Sequence, residues 1–161
     1  MEDINNSYLS FKVGSETFAI HVGRVNEIRE YEAPRNMPES ISFMAGVIDH
    51  RDEVIPVIDT GVKFGMNPIE VTPLTCIIII DVKRKDDISS FRMGILADAV
   101  TDVFEAVEED FKNIHNDYSP NYIQATININ EHFYLILNSD EVFSVNEIIS
   151  LCKEVEEIKK Q

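Results

Sequence analysis

Apolar residues fall on alternate positions through most of the chain, the period of strands with one buried face. In YLSFKVG, Leu9, Phe11 and Val13 share one face, and Ser10 and Lys12 take the other. Gly14, Ser15 and Glu16 can turn the chain, after which TFAIHV returns with Phe18, Ile20 and Val22 aligned. Gly23 breaks that run and reads as a bend or bulge. RVNEIRE then resumes the alternation with Val25 and Glu27 on one face. Pro34 and Pro38 mark a loop between Tyr31 and Ser40. FMAGVIDHRDEVIPVID divides into two strands around the polar cluster Asp49 to Glu53. Pro56 in the second of these fits an edge strand, or a position whose amide points away from the ladder. Pro68 and Pro73 bracket a further loop. TCIIIIDV has no polar alternation and is expected to be buried on both faces.

KRKDDISS reads as a solvated hairpin loop, followed by strands FRMGILAD and AVTDVFEA. VEEDFKNIHNDYSP is an irregular connection with room for one short helical turn. YIQATININ and HFYLIL form a late hairpin around Asn130 and Glu131. The tail changes period: Val145, Ile148, Ile149, Cys152, Val155 and Ile158 recur at three- and four-residue spacing. Ser144 with Glu147 makes a capping box, and Phe143 with Ile148 the hydrophobic staple beside it. A C-terminal amphipathic helix over Ser144 to Gln161 is predicted, its stripe packing on the strands rather than on a partner. About nine or ten short strands and one helix indicate an all-β fold, barrels or a sandwich, not an α/β nucleotide fold. No internal repeat is clear and no low-complexity linker divides the chain, so its 161 residues suit one domain, 1–161, or two small intimate subdomains.

Charge narrows the partners. Acidic residues number 29 against 14 basic ones, a net charge of −15, which repels phosphate backbones and anionic lipid and favours cationic patches on partner proteins. No run approaches the roughly 18 apolar residues of a membrane span. The start, MEDINNSYLSF, lacks the basic and apolar regions of a secretory signal, so a secreted protein is not expected. Cys76 and Cys152 stand far apart without metal-ligand spacing and read as two buried, reduced thiols, consistent with a cytoplasmic location.

Catalytic patterns are missing. The six glycines are scattered and none forms a phosphate-cradling loop. VGSET is not a nucleophile elbow. His21, His50, His115 and His132 have no second histidine or cysteine at ligand spacing, and a lone histidine is more often packed or at the surface. The runs EED and EVEE read as solvated faces. Carboxylate pairs of the glycosidase kind need a separation that sequence does not supply. A small-barrel enzyme using a carboxylate with His50 therefore stays as an alternative, with no catalytic, cofactor or metal residue assigned.

Three stretches together resemble the CheW family: FKVGSETFAIHVGRVNEI, with its strand ending in Val25, any residue, Glu27, Ile28; FMAGVIDHRDEVIPVIDTGVKFG, similar to the family's central signature; and GILADAVTDV. The late YIQATININEHFYLIL also aligns, so the likeness runs from about Tyr8 to Ser150. It implies two intimately packed five-stranded SH3-like β-barrels with a groove between them, no catalysis and no cofactor. It further implies a cytoplasmic adaptor, recruited to membrane-associated arrays, that joins the hairpin tip of a chemoreceptor to the regulatory domain of a CheA-type histidine kinase. Carried over residue by residue, Glu27 and Arg51 match a salt bridge supporting the receptor-facing surface. Val25, Gly46, Cys76 and Val103 match positions of receptor or kinase contact. Gly46 would let a helix backbone approach closely or allow an unusual φ. This sequence departs from the family pattern at several points. Asp52 replaces the turn glycine after the arginine, and Asp49 and His50 replace asparagine and leucine. Ile41 stands where proline is common, Ala99 replaces a glycine, Ala125 with Ile127 replaces a glycine-rich hairpin entry, and KRKDDISS is long. Asp49 and Asp52 are placed to compete for the Arg51 guanidinium. A sequestering regulator, or a scaffold of another chemosensory pathway, is the alternative role. A response-regulator fusion is not expected, since no receiver-like segment is present in this sequence.

Overall fold

The computed structural model describes residues 6–37, 41–83, 90–112, 122–142 and 147. Among these residues ten strands form in chain order: β1 (Ser7–Val13), β2 (Glu16–His21), β3 (Val25–Glu30), β4 (Met44–His50), β5 (Glu53–Ile58), β6 (Cys76–Lys83), β7 (Ser90–Ala97), β8 (Ala99–Glu105), β9 (Ile123–Ile129) and β10 (His132–Leu137). One helical turn, α1 (Thr60–Lys63), follows β5, and 3-10 turns occupy Val22–Arg24, Glu108–Asp110 and Ser139–Glu141. The second of these is the short helical turn expected in the irregular connection. The predicted C-terminal helix, with its cap and staple, lies outside the described residues except for Glu147, which is helical. So do His115, Cys152 and the middle of the KRKDDISS loop.

The strands make two five-stranded sheets, ordered β8-β1-β2-β10-β9 and β3-β6-β7-β5-β4. Each closes on itself in the same way. The chain leaving edge strand β3 returns at Arg35 to bridge Val47 of β4, with amide–carbonyl distances of 2.9 and 3.0 Å. The chain leaving β8 returns at Lys112 to bridge Thr126 of β9, at 2.8 and 2.9 Å. Each sheet also contains one parallel pair, β5 with β7 and β10 with β2. The two closed sheets thus share one topology, matching the SH3-like barrels that the resemblance implied. The middle of the chain, β3 to β7, builds one barrel, while β1 and β2 complete the other with β8 to β10.

Gly23 marks more than a bend. After β2 the 3-10 turn carries the chain out of one sheet, and Val25 begins a strand of the other. Pro56 lies on β5, which is flanked by both β4 and β7 and so is not an edge strand. It precedes Val57 and Ile58, the residues registered with β7, so its missing amide falls ahead of that ladder.

Period-two alternation sorts apolar side chains into separate clusters. On β6, Ile77 and Ile79 join a cluster confined to the second sheet with Ile48, Ile55, Val57 and Leu96. Ile78, Ile80 and Val82 point the other way, and Ile77 to Ile80 are all fully buried, as the unbroken apolar run required. On the first sheet, Ala19, Ala125, Ile127 and Ile136 form the equivalent one-sheet cluster. The largest cluster belongs to both sheets: Leu9, Phe11, Val13, Phe18 and Ile20 from the first pack with Met44, Val47, Ile58, Ile78, Ile80, Met93 and Ile95 from the second. Both barrels therefore depend on one shared core.

Candidate functional site

The Glu27–Arg51 pair stands at one end of the second barrel. Glu27 is carried by β3, half-buried between exposed Asn26 and Ile28. The β3–β6 register slips between Val25 and Glu27. Arg51 sits with Asp52 in the two-residue turn between β4 and β5, where His50 and Glu53 close the ladder. Both turn residues have positive φ, 50° and 69°. This is the twist a two-residue hairpin needs, although neither side chain favours it. The turn aims Arg51 back across the end of β3. Its Nη2 donates to Glu27 Oε1 at 2.8 Å and its Nε to the same oxygen at 3.1 Å.

Beneath the pair, His50 is 3 % exposed, and its Nε2 lies 3.3 Å from Asn26 Oδ1 and 3.9 Å from Glu27 Oε1. The hydrogen bond from Arg51 holds the Glu27 carboxyl below its ordinary value against an opposing push from burial; the charges of Arg51, His50 and Arg29 add to the lowering. The Arg51 side chain is 72 % exposed and that of Glu27 34 %. The pair is thus a surface feature, and breaking it leaves a charge that water can reach, without the large penalty of a stranded buried ion. Its value is positional: it fixes a guanidinium at the hairpin tip.

The acidic neighbours do not compete for Arg51. The Asp49 carboxylate accepts from Arg35 Nη2 at 3.3 Å, and its carbonyl accepts from Arg29 Nη1 at 2.8 Å. Arg29 also pairs with Glu32. Arg29, Arg35 and Asn26 were not singled out as site residues, and His50 only as the histidine of the enzyme alternative. Arg29 was open to discovery, because it follows Glu27 by two positions and so shares its face of β3. Asn26, Arg35 and His50 are brought in by side-chain contacts between β3, the Arg35 segment and the end of β4, which spacing along the chain does not reveal.

The remaining candidates are dispersed. Val25 is half-buried against the shared core, two residues before Glu27. Gly46 has φ 149°, and a Cβ there would meet the Arg35 carbonyl oxygen at 2.3 Å and Pro34 Cβ at 2.8 Å. The space at this glycine, expected to admit a helix backbone, is taken by the chain's own barrel-closing segment, and the unusual φ is present. Cys76 opens β6 opposite Glu30, at the far end of β3 from Val25. It is 8 % exposed, and burial pushes its thiol up against a weaker opposing hydrogen bond at the Val100 backbone. Val103 belongs to the other barrel, on β8 opposite Leu9, and is 55 % exposed. Among the six, the described contacts join Glu27 to Arg51 alone.

His50 offers no solvent-facing edge for proton transfer. Among the described residues no group of three or more His, Cys, Asp or Glu is placed to hold a metal ion. No helix among them is long and apolar enough to cross a membrane.

Comparison with known proteins gives one consistent family. Residues 7–147 match the model of the CheW-like domain. A probable chemotaxis protein CheW of Rhizobium etli is 29 % identical over 142 residues, covering 86 % of this chain and 88 % of that protein. The chemotaxis protein CheW of Rhizobium meliloti is 28 % identical over the same shares of both chains. Among solved structures, the scaffolding protein TtCheW of Thermoanaerobacter tengcongensis superposes with a TM-score of 0.75 at 21 % identity, covering 88 % of this chain and 90 % of that one. At that identity the superposition speaks for the fold.

Proposed function

This chain belongs to the CheW-like domain family, and from that premise we propose that it is a non-catalytic chemotaxis adaptor. It couples the cytoplasmic hairpin tip of a chemoreceptor to the regulatory domain of a CheA-type kinase. Residues 1–161 act as one unit in the cytoplasm, recruited to receptor arrays at the membrane. The observation that carries the reading is Arg51, held by Glu27 on an exposed hairpin tip and left 72 % exposed. A guanidinium positioned this way can add hydrogen bonds to a partner without giving up its own carboxylate. Val25 lies on the same strand as Glu27. Gly46 acts indirectly, by keeping the Arg35 segment seated against β4. Val103 offers an exposed apolar contact on the other barrel, and Cys76 contributes through the shape of the strand end rather than through its thiol.

The reading is tested with purified protein, a receptor signalling fragment and the kinase's CheW-like domain. Arg51→Ala is expected to weaken receptor binding on the order of tenfold, with melting temperature nearly unchanged, and Arg51→Glu to weaken it further. Wild-type affinity in both variants would remove the assigned role of the pair. Binding of neither partner by the native chain would end the adaptor reading. Kinase activity measured in the ternary mixture separates coupling, in which it follows receptor state, from sequestration, in which it only falls.

A further inference from the structure

β3 and β4 are the two outer strands of the second sheet. The Arg35 bridge to Val47 closes the seam between them at the middle of β4. Toward the Arg51 tip, side chains take over. Arg29 Nη1 donates to the Asp49 carbonyl at 2.8 Å, Arg51 donates to Glu27, and the His50 ring meets Asn26 with Nε2 3.3 Å from Oδ1. His50 follows Ile48 by two positions on β4 and so shares its face, the one that lines the cluster confined to this sheet. At 3 % exposure the ring closes the end of that interior.

An imidazole buried this deeply needs a partner for its polar edge. The atoms in front of Nε2 are Asn26 Oδ1 and, at 3.9 Å, Glu27 Oε1. One is an amide oxygen and the other a carboxylate oxygen, and both accept. Nε2 therefore carries the hydrogen, which a neutral ring supplies. Asn26 is also where the β3–β6 register slips: Val25 faces Ile80 and Glu27 faces Ile79, so Asn26 is the extra residue. A bulge of this kind re-aims the side chain beside it, which here is that of Glu27.

We propose that His50 is a positioning residue for the partner-facing arginine: its Nε2–H holds the Asn26 bulge against β4, and the bulge sets the Glu27 carboxylate that holds Arg51. The ring is covered, so it acts on a partner only through these residues. The inference rests on the adaptor reading for its binding readout, and on this chain alone for its spectroscopic one.

Two variants of the full chain separate the hydrogen-bond donor from the volume it fills. In His50→Leu the barrel end stays filled, and exposed Asn26 regains a bond from water, so the melting temperature is expected to hold. In His50→Gln an amide N–H replaces Nε2–H, without the capacity to take a charge. The Glu27 carboxyl lies below its ordinary value chiefly through the Arg51 hydrogen bond, so a loosened hold reads out as an upward shift. His50→Leu is expected to raise the Glu27 midpoint in an NMR titration and to move the Arg51 Nε–H resonance. It is also expected to weaken binding of a receptor signalling fragment roughly threefold to tenfold. His50→Gln is expected to bring all three back toward wild type. In an Arg51→Ala background, His50→Leu should weaken binding no further. A Glu27 midpoint and an Arg51 resonance unmoved in His50→Leu overturn the proposal. Glutamine behaving as leucine does overturns it too, since loss of the imidazole charge would then be the whole cause, and so do additive losses in the double variant. If both NMR signals move while affinity stays at the wild-type level, the positioning of Glu27 stands and the partner role of Arg51 falls.

Discussion

At the residue scale, the site turns on a single carboxylate oxygen. Glu27 Oε1 receives two hydrogen bonds from Arg51 and faces His50 at 3.9 Å. An NMR titration of Glu27 is expected to place its pKa below the usual carboxylate range near roughly pH 4, and Arg51→Ala should move it back up. A folded-state pKa that is depressed means the pair contributes above the ordinary carboxylate value and is lost as pH falls through the depressed one. Receptor affinity is therefore expected to drop in acid over that window, and affinity in Arg51→Ala to lose this step. If wild type and variant share one acid profile, the coupling between the two residues is absent. The pair was open to reading because both charges fall within the stretches that carried the family likeness. His50 beneath it was not. A lone histidine on a strand gives no sign of what covers it, and the covering residues come from β3, more than twenty positions earlier.

At the element scale, two of the two-residue hairpin turns carry strain. Arg51–Asp52 and Asn130–Glu131 all take positive φ, at 50°, 69°, 52° and 71°. Glycine is the residue suited to the second of these positions, and neither turn has it. Asp52→Gly is expected to stabilise the protein by about 0.5–1 kcal/mol, the relieved left-handed strain being partly offset by added freedom of the unfolded chain; a higher melting temperature checks it. Gly46→Ala should do the reverse and cost about 3 kcal/mol, because both φ and the Arg35 carbonyl exclude a Cβ. A melting temperature unchanged by Gly46→Ala would mean that the Arg35 segment does not close the barrel in solution. Strand positions followed from alternation and turn residues, since both are local signals. Gly23 was visible as a break, but not as the point where the chain changes sheets, because partner choice depends on contacts far away in sequence. Of the two readings of Pro56, the edge strand fails because its strand is internal, and the proline is accommodated by a ladder that begins one residue later.

At the scale of the whole molecule, the two barrels repeat one topology that the sequence does not display, since each position needs only the right polarity and volume, not the same residue. The shared cluster couples them. Ile78→Ala, at the centre of that cluster, is expected to cost about 2–5 kcal/mol, and aromatic signals from Tyr31 and Tyr134, each packed on the cluster confined to one sheet, should melt together. Separate transitions would show that the common core does not bind the barrels into one cooperative unit. The interlaced threading has a consequence during synthesis. The nascent hairpin of β1 and β2 leaves the ribosome with both long edges open, and its neighbours β8 and β10 are made last. The intervening barrel can close while translation continues, but the first one waits for nearly the entire polypeptide. An early stop or a stalled message therefore releases a product with unpaired, apolar strand edges, the form most prone to clump with its own kind.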